Sequence, residues 1–201
     1  MPYADVTQRL KEPVTERLER LNGELREASA QTILRASLIR EWREKITYVS
    51  SFGAESAVML ALIADVDPDL PIVFLQTGMH FPQTLDYKDE LIHQLGLTNV
   101  RAIPPNETER KVLDPKNDLW ARDTDACCAL RKVRPLEPAL EGYQAWITGR
   151  KRFHGGARLS LPVFEHTADR FKVNPLAGWT QEDVDRFFVQ RNLPRHPLVA
   201  Q

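Results

Sequence analysis

Two adjacent cysteines, Cys127 and Cys128, are the only thiols of the chain, and a strongly basic segment follows them. Between Cys127 and Arg158 the sequence has seven cationic residues and two acidic ones. The cations are Arg131, Lys132, Arg134, Arg150, Lys151, Arg152 and Arg158, and the acids are Glu137 and Glu141. Nearby cations favour the thiolate, which is the reactive and metal-binding form of cysteine. The segment therefore predicts anion chemistry in which sulfur or a metal takes part.

The cysteine pair also has two simpler interpretations, namely a pair of buried unreactive thiols and a rare vicinal disulfide. Its predicted position at a helix N-terminus and the adjacent cations argue against unreactive thiols. Two thiolates alone do not complete a zinc or iron–sulfur site, which usually takes four ligands. None of the five histidines has a ligand-type spacing with the pair. His80 and His154 are at most candidates for contact with a substrate.

The segment from Ser50 to Ser56 contains a glycine and several hydroxyl side chains between a predicted strand and a predicted helix. Such a loop presents backbone N–H groups and the positive end of a helix to a phosphate. An ordinary strand-to-helix turn with a serine cap explains the same residues about equally well. The loop is not a Walker A motif, because the Gly-Lys-Ser/Thr ending is missing.

Two further segments have the position of ligand-binding loops. The turn Gln76–Gly78 follows a predicted strand, at the edge where open parallel sheets bind ligands. The loop Gly149–Arg158 follows another strand and contains three glycines, which allow close approach of the backbone to a ligand. Its arginines offer planar donor groups that match phosphate or sulfate oxygens. A plain turn and a solvated basic loop are the alternatives, but the succession of such loops favours a nucleotide cleft.

The predicted secondary structure brings these loops together. Helices alternate with predicted strands at residues 46–49, 72–75, 100–103, 145–148 and 171–176. Residues 14–44 are predicted to be helical with a break near Gly23, and the cysteine segment begins a helix that ends near Leu140. Thr180 and Asp183 predict a capping box at the start of the last helix. This alternation predicts an α/β fold with a mostly parallel sheet and helices on both faces.

Bulk composition limits the class of protein. The 201 residues suffice for one domain with a substantial core. We expect residues 1–44 to form a helical segment that packs on an α/β domain of residues 45–201. A net charge of −1 argues against a nucleic-acid binder. No apolar run is long enough for a membrane span, and neither a signal-peptide pattern nor a disulfide framework is present, so a soluble cytoplasmic protein is expected.

In their order and spacing these segments resemble the sulfonucleotide reductases, which reduce adenylyl sulfate or its 3′-phosphorylated form to sulfite. The resemblance runs from about Tyr48 to Gln201. Its motifs are Ser50–Gly53, Leu75–Gly78, Cys127–Cys128 with Arg131–Leu136, Trp146–Arg150, Pro175–Leu176 through Trp179–Thr180, and His196–Leu198. The fold of that family is an adenine-nucleotide α-hydrolase-like sheet of the PP-loop type, which agrees with the predicted alternation of strands and helices.

The cysteine pair resembles the iron–sulfur branch of the family, which prefers adenylyl sulfate. This resemblance implies that Cys127 and Cys128 supply two of the four cysteine ligands of a 4Fe–4S cluster. It also implies that Lys132 lies near both the cluster and the substrate.

The sequence departs from the family pattern in several places. A second cysteine pair and a nucleophilic cysteine on a C-terminal segment would follow His196–Leu198, but the sequence has neither before Gln201. Gln76 stands where the family usually has Asp, and His154 stands where Gln is common. The two substitutions affect only details of the expected nucleotide contacts.

The resemblance implies thiol-dependent reduction of adenosine 5′-phosphosulfate (APS) to sulfite and AMP in assimilatory sulfate reduction. A thiolate attacks the sulfur of the nucleotide, and thioredoxin or glutaredoxin then releases sulfite from the enzyme thiosulfonate. The nucleotide-binding residues implied are Ser50, Ser51, Gly53, Ser56, Thr77 and Gly78. The residues implied to bind the phosphate–sulfate group are Arg150, Arg152, Arg158 and Lys132. We also expect a homo-oligomer.

Three other hypotheses stay open. The first is a reductase for the 3′-phosphorylated nucleotide, without a cluster. The second is an adenylating enzyme of the ATP-pyrophosphatase type, which binds ATP with Mg²⁺ and releases pyrophosphate. The third is a nucleotide-binding or iron–sulfur sensory module without turnover. A repressor is not predicted, because the sequence has no recognisable DNA-binding element.

Overall fold

The computed structural model of the chain describes residues 12–167 and 169–199. Within them, one sheet has the strand order β3-β2-β1-β4-β6-β5. Its strands are β1 (Ile46–Ser50), β2 (Ile72–Leu75), β3 (Val100–Ile103), β4 (Ala145–Ile147), β5 (Phe164–Thr167) and β6 (Arg170–Val173). Neighbouring strands are parallel except for β5 and β6, which pair antiparallel. The predicted α/β class with a mostly parallel sheet is therefore confirmed.

Helices precede, connect and follow the strands. They are α1 (Val14–Leu25), α2 (Ala30–Arg35), α3 (Ser56–Ala64), α4 (Pro82–Leu95), α5 (Glu107–Leu113), α6 (Leu119–Arg122), α7 (Thr124–Cys128), α8 (Arg134–Ala139) and α9 (Gln181–Gln190). A wide π turn over Ala36–Glu41 extends α2, and another over Ala129–Val133 joins α7 to α8. The capping box of α9 forms as predicted, with Thr180 and Asp183 bonded to each other's backbone. None of the helices described is long and apolar enough to cross a membrane.

The break in the N-terminal helical segment lies later than predicted. Helix α1 continues through Gly23, and the chain leaves the helix after Leu25. Glycine weakens a helix by only about 1 kcal/mol. Because Leu21 and Leu25 on either side of it are buried in the core, packing keeps this turn helical. Ser29 then caps α2 by accepting a hydrogen bond from the Thr32 N–H.

Two parts of the chain contain elements that the sequence pattern did not predict. The charged connection after β3 forms the short helices α5 and α6, and Asn106 caps α5 by accepting bonds from the N–H groups of Thr108 and Glu109. Strand β5 pairs with β6 as the antiparallel edge of the sheet. Its four residues include a glutamate, a histidine and a threonine, so they give no clear apolar alternation.

The core is built around α3 and the central strands. Every residue from Ala57 to Ile63 is buried, because α3 shares one hydrophobic cluster with residues of β1 and β2 and also contacts α2, α4 and α9. Successive residues of β2 are buried as well. Since side chains along a strand alternate between the two faces of a sheet, both faces are covered here.

The N-terminal helices share this core with the sheet. Trp42 packs against Phe164 and Phe171 at ring-centroid distances of 6.1 and 5.1 Å. The buried Arg17 guanidinium lies over the ring of Trp42 and donates to the Glu41 backbone oxygen at 2.8 Å and to a carboxylate oxygen of Glu41 at 3.2 Å. A domain boundary at residues 44–45 stays a prediction, and the first eleven residues lie outside the described part.

Glu41 gives a pH-dependent contribution to stability. Burial by itself would raise the pKa of this carboxyl, but the hydrogen bond and charge of Arg20, with the charges of Arg17 and Arg40, lower it below its usual 4.5. The ionised form therefore stabilises the fold above about pH 4.5, and this contribution is lost as the pH falls through the lower folded pKa.

We expect Glu41→Gln to reduce the free energy of unfolding by about 2 kcal/mol at pH 7. The difference from the wild type should shrink towards pH 3. Urea unfolding across this range measures the effect, with Glu27→Gln as the control because its pair with Arg26 is exposed. An equal loss at every pH would show that the charge of Glu41 is not the cause.

Candidate active site

A cleft of about 660 Å³ lies where the carboxyl ends of β1, β2 and β4 meet. The loops that follow these strands form its walls, and Lys132 from the π turn reaches it from the side. Parallel pairing explains the meeting of these loops, because Tyr48 of β1 is in register with both Ile72 of β2 and Ile147 of β4. Residues of the cleft include Ser50, Ser51, Gly53, Glu55, Ser56, Thr77, His80, Lys132, Thr148, Arg150, Lys151, His154 and Arg158.

The loop after β1 is held by hydrogen bonds and by one buried ring. Ser50 accepts a bond from the Phe52 N–H at 3.1 Å, and Phe52 has a left-handed φ of 49°. That conformation is costly for an aromatic residue, but Phe52 is fully buried and meets Phe74 edge-on at 5.4 Å. The buried Phe52 ring anchors the loop, and Ser51 and Gly53 on either side of it line the cleft.

Tyr48 supports the same loop from below. Its side chain is buried and hydrogen bonded with those of Ser50 and Ser56, while burial raises its pKa to about 12. The phenol therefore stays protonated at neutral pH. Tyr48 lines the floor of the cleft, and the sequence pattern identified it only as a strand residue.

The turn after β2 is tight and internally bonded. Gln76, which replaces the usual Asp of this motif, accepts a bond from the Gly78 N–H at 3.2 Å. Gly78 has a φ of 73°, which favours glycine. His80 bonds the Leu75 carbonyl at 3.0 Å and packs on Phe74. Thr77 and His80 line the cleft, whereas Gly78 is not among the lining residues that the structure describes.

Arg150 is bound within a polar network at the base of the basic loop. It forms an ion pair with Glu165 of β5 and donates to the Asn174 side chain at 3.2 Å. Asn174 is fully buried and also donates to Glu165 at 2.8 Å and to the Pro162 carbonyl at 3.0 Å. The charge of Arg150 is therefore largely balanced by Glu165 before any ligand binds.

A second ion pair joins the basic loop to the first loop. Lys151 is 98% buried, at 2% relative exposure, and its ammonium lies 2.7 Å from a Glu55 carboxylate oxygen. His154 Nε2 is 3.3 Å from the same oxygen, and Arg158 donates to His154 Nδ1 at 3.1 Å. Since an arginine only donates, His154 Nδ1 is the acceptor of this contact. The sequence analysis included Lys151 only in a basic run and did not identify Glu55 at all.

The structure gives the predicted cations different roles. Within the described residues, Lys132 and Arg158 line the cleft without a carboxylate partner, so their charges are not balanced by an ion pair. Arg152 is not among the lining residues described, and it donates to the Leu161 carbonyl at 2.8 Å. Its contact with the phosphate–sulfate group stays a prediction.

The cysteine pair lies on α7, outside the lining of the cleft that the structure describes. Cys127 is half-buried and Cys128 is exposed, and both are free thiols. No group of three or more potential metal ligands occurs within residues 12–167 and 169–199. Two adjacent thiols correspond to half of the four ligands that a 4Fe–4S cluster usually takes.

A parallel α/β sheet with polar, cation-lined loops at its carboxyl edge defines a nucleotide-binding fold of the PP-loop type. Solved structures agree with this class. An NMN synthetase from Francisella tularensis matches with a TM-score of 0.57 at 16% identity, over 88% of this chain and 71% of the other. A phosphoadenylyl-sulfate reductase from Candida auris, in a phosphate complex, matches with a TM-score of 0.79 at 26% identity, over 94% and 92%.

The family model described as the phosphoadenosine phosphosulfate reductase domain matches residues 45–201, and the chain belongs to this family. An adenosine 5′-phosphosulfate reductase of Mesorhizobium japonicum is 45% identical over 168 residues, which are 84% of this chain and 66% of the relative. One from Mycolicibacterium smegmatis is 35% identical over 204 residues, covering 97% and 82%. The chain thus spans slightly less than two thirds of the first relative's length.

The Glu55–Lys151 pair makes a testable contribution to the site. We expect Glu55→Ala to lower the free energy of unfolding by about 3 kcal/mol or more, because it leaves the buried Lys151 ammonium without its partner. The double variant Glu55→Ala/Lys151→Met should regain at least half of this loss, since no buried charge is then left unpaired. Urea unfolding of the two variants, with Lys151→Met alone as the reference, measures both effects. Additive losses would exclude coupling between the two residues.

Proposed function

We propose that this chain is the nucleotide-binding domain of an enzyme that reduces adenosine 5′-phosphosulfate to sulfite and AMP. The observation that carries the proposal is the cleft itself, in which two cations without carboxylate partners, Lys132 and Arg158, face the loops that follow β1 and β2. Family membership and the similarity to adenosine 5′-phosphosulfate reductases support it.

The nucleotide would lie across the carboxyl edge of the sheet. In this proposal Ser51, Gly53 and Ser56 bind it from the first loop and Thr77 from the second. Ser50 and Gly78 act more indirectly, because Ser50 bonds the Phe52 N–H and Gly78 permits the tight turn. Lys132 and Arg158 bind the phosphate–sulfate group and stabilise the negative charge that develops on the departing phosphate. Arg150 stays with Glu165 and shapes the wall of the cleft.

The reaction we propose has two thiol steps. A cysteine thiolate attacks the sulfur of the sulfate group, so an S–S bond forms while the bond from sulfur to the bridging oxygen breaks. The bonding electron pair leaves with AMP. A dithiol reductant of the thioredoxin or glutaredoxin class then releases sulfite and becomes a disulfide. We do not assign the attacking thiolate to Cys127 or Cys128, because neither is among the residues that line the cleft.

We propose instead that Cys127 and Cys128 hold part of an iron–sulfur group. Both thiols are at least partly accessible on one short helix, and Lys132 is located one turn further along. A bound cluster would supply redox-active or electrostatic chemistry beside the cleft. Homo-oligomer formation and a cytoplasmic location stay predictions.

A second candidate substrate is the 3′-phosphorylated nucleotide. The similarity to the Candida auris phosphoadenylyl-sulfate reductase favours it. Competition between the two sulfonucleotides for the full chain distinguishes them, because a site built for the additional phosphate binds the 3′-phosphorylated form more tightly.

Arg158 and Lys132 provide the test of the binding site. We expect Arg158→Ala and Lys132→Ala each to weaken binding of adenosine 5′-phosphosulfate and to slow sulfite release by about 10²-fold, since each removes a cation aimed at the reacting group. Calorimetry and a sulfite assay measure the two effects. Arg186→Ala is the matched control, because this exposed arginine pairs with Glu182 and Asp183 on α9. Unchanged binding and turnover in both cleft variants would contradict the assignment.

Metal analysis tests the role of the cysteine pair. Protein purified without oxygen from the complete coding sequence should contain about four iron and four acid-labile sulfide per chain. Cys127→Ser and Cys128→Ser should each lose most of both while the protein stays folded by circular dichroism. A folded wild-type protein without iron would exclude the cluster.

A further inference from the structure

Arg131 connects the turn Gln76–Gly78 after β2, here called the nucleotide turn, to the helical segment that bears the cysteines. Its side chain is buried, at 2% relative exposure. One terminal nitrogen donates to the Thr77 carbonyl at 2.6 Å, and the other donates to Asp114 at 2.6 Å and to the Asn117 side chain at 2.7 Å. The guanidinium thus connects three segments that are distant in sequence.

Arg131 lies in the π turn between the cysteine pair and the cleft residue Lys132. The turn over Ala129–Val133 starts directly after Cys128, and it contains both Arg131 and Lys132. Arg131 is buried, whereas Lys132 is exposed and lines the cleft. A π turn costs regular helical hydrogen bonding and is frequent at functional sites. A shift of Arg131 would therefore move the Lys132 ammonium and the preceding cysteine turn together.

Asp114 and Gly78 contact the Arg131 guanidinium from two sides. Asp114 is fully buried, and its second carboxylate oxygen accepts a bond from the Leu119 N–H at 3.0 Å. A Cβ atom on Gly78 would lie 3.4 Å from Arg131 Nη1, so the guanidinium is in van der Waals contact with the nucleotide turn. Asp114 holds Arg131 from one side while the Thr77–Gly78 backbone rests on it from the other.

We propose that Arg131, held by Asp114, is a positioning residue that couples occupancy of the nucleotide turn to the state of the Cys127–Cys128 helix. The inference rests on the proposed function, because the occupant of the turn is taken to be an adenine nucleotide. Filling of the cleft fixes the Thr77 carbonyl, and its bond to Arg131 then restrains the π turn and the cysteines before it.

The coupling is measured by the rate at which iodoacetamide modifies Cys128 in the full chain as purified, whether or not its thiols hold iron. AMP serves as the nucleotide, and mass spectrometry follows the modified residue. In the wild type, saturating AMP should slow the modification about fivefold, which is the lower end of typical coupling between linked sites. In Asp114→Asn, AMP at its own saturating concentration should give little or no protection.

The matched control is Glu109→Gln. Glu109 likewise forms an ion pair with an arginine that follows the cysteines, Arg134, but this pair is exposed. The Glu109→Gln variant should keep the full protection of Cys128 by AMP. A purely structural role of Asp114 would lower the melting temperature yet leave the protection ratio unchanged, and that result would overturn the inference.

A milder variant keeps the test valid if Asp114→Asn does not fold. Asn117→Gly removes one acceptor of Arg131 and retains the left-handed backbone, where Asn117 has a φ of 56°. Partial loss of protection in this variant supports the coupling, whereas full protection contradicts it. AMP that binds the wild type without slowing modification overturns the inference alone. Failure of both AMP and adenosine 5′-phosphosulfate to bind the wild type overturns the proposed function as well.

Discussion

Parallel pairing of β1 with β2 and β4 is the constraint on which the site depends. Parallel strands place their carboxyl ends at one edge of the sheet, so the three loops that follow them must meet. The helix α3 fixes the middle of this arrangement, since its residues from Ala57 to Ile63 all lie in the core. An anion that enters the cleft therefore meets groups already held in place by the sheet.

Ion pairs then decide which of the many cations are available to a ligand. Glu55 neutralises Lys151, Glu165 neutralises Arg150, and Asp114 neutralises Arg131. Each of these arginines and lysines connects separate segments of chain and so gives the site its shape. Charge that is already paired contributes less to attraction of a phosphate or sulfate. In the proposed function, recognition of the anion is therefore concentrated on Lys132 and Arg158.

The cysteine pair and the cleft are separate but connected parts of this architecture. Cys127 and Cys128 lie on a short helix beside the site, and the π turn that follows delivers Lys132 to the cleft. Arg131 in the same π turn donates a hydrogen bond to the Thr77 carbonyl of the nucleotide turn. The π turn is therefore the structural element that joins the thiols to the cleft, and the proposed coupling passes through it.

The sequence by itself determined the alternation of strands and helices, and with it the α/β class and the positions of the three loops. These follow from local hydrophobic patterns and from glycine and hydroxyl residues at strand ends. The motifs also identified the family, and they selected Ser51, Thr77, Lys132 and Arg158 as site residues that the structure brings together. Only the tertiary structure revealed the half-buried partner Glu55 and the buried partners Asp114 and Asn174. The physical reason is that pairing depends on contacts between residues far apart in sequence, and a local pattern of charges does not specify them.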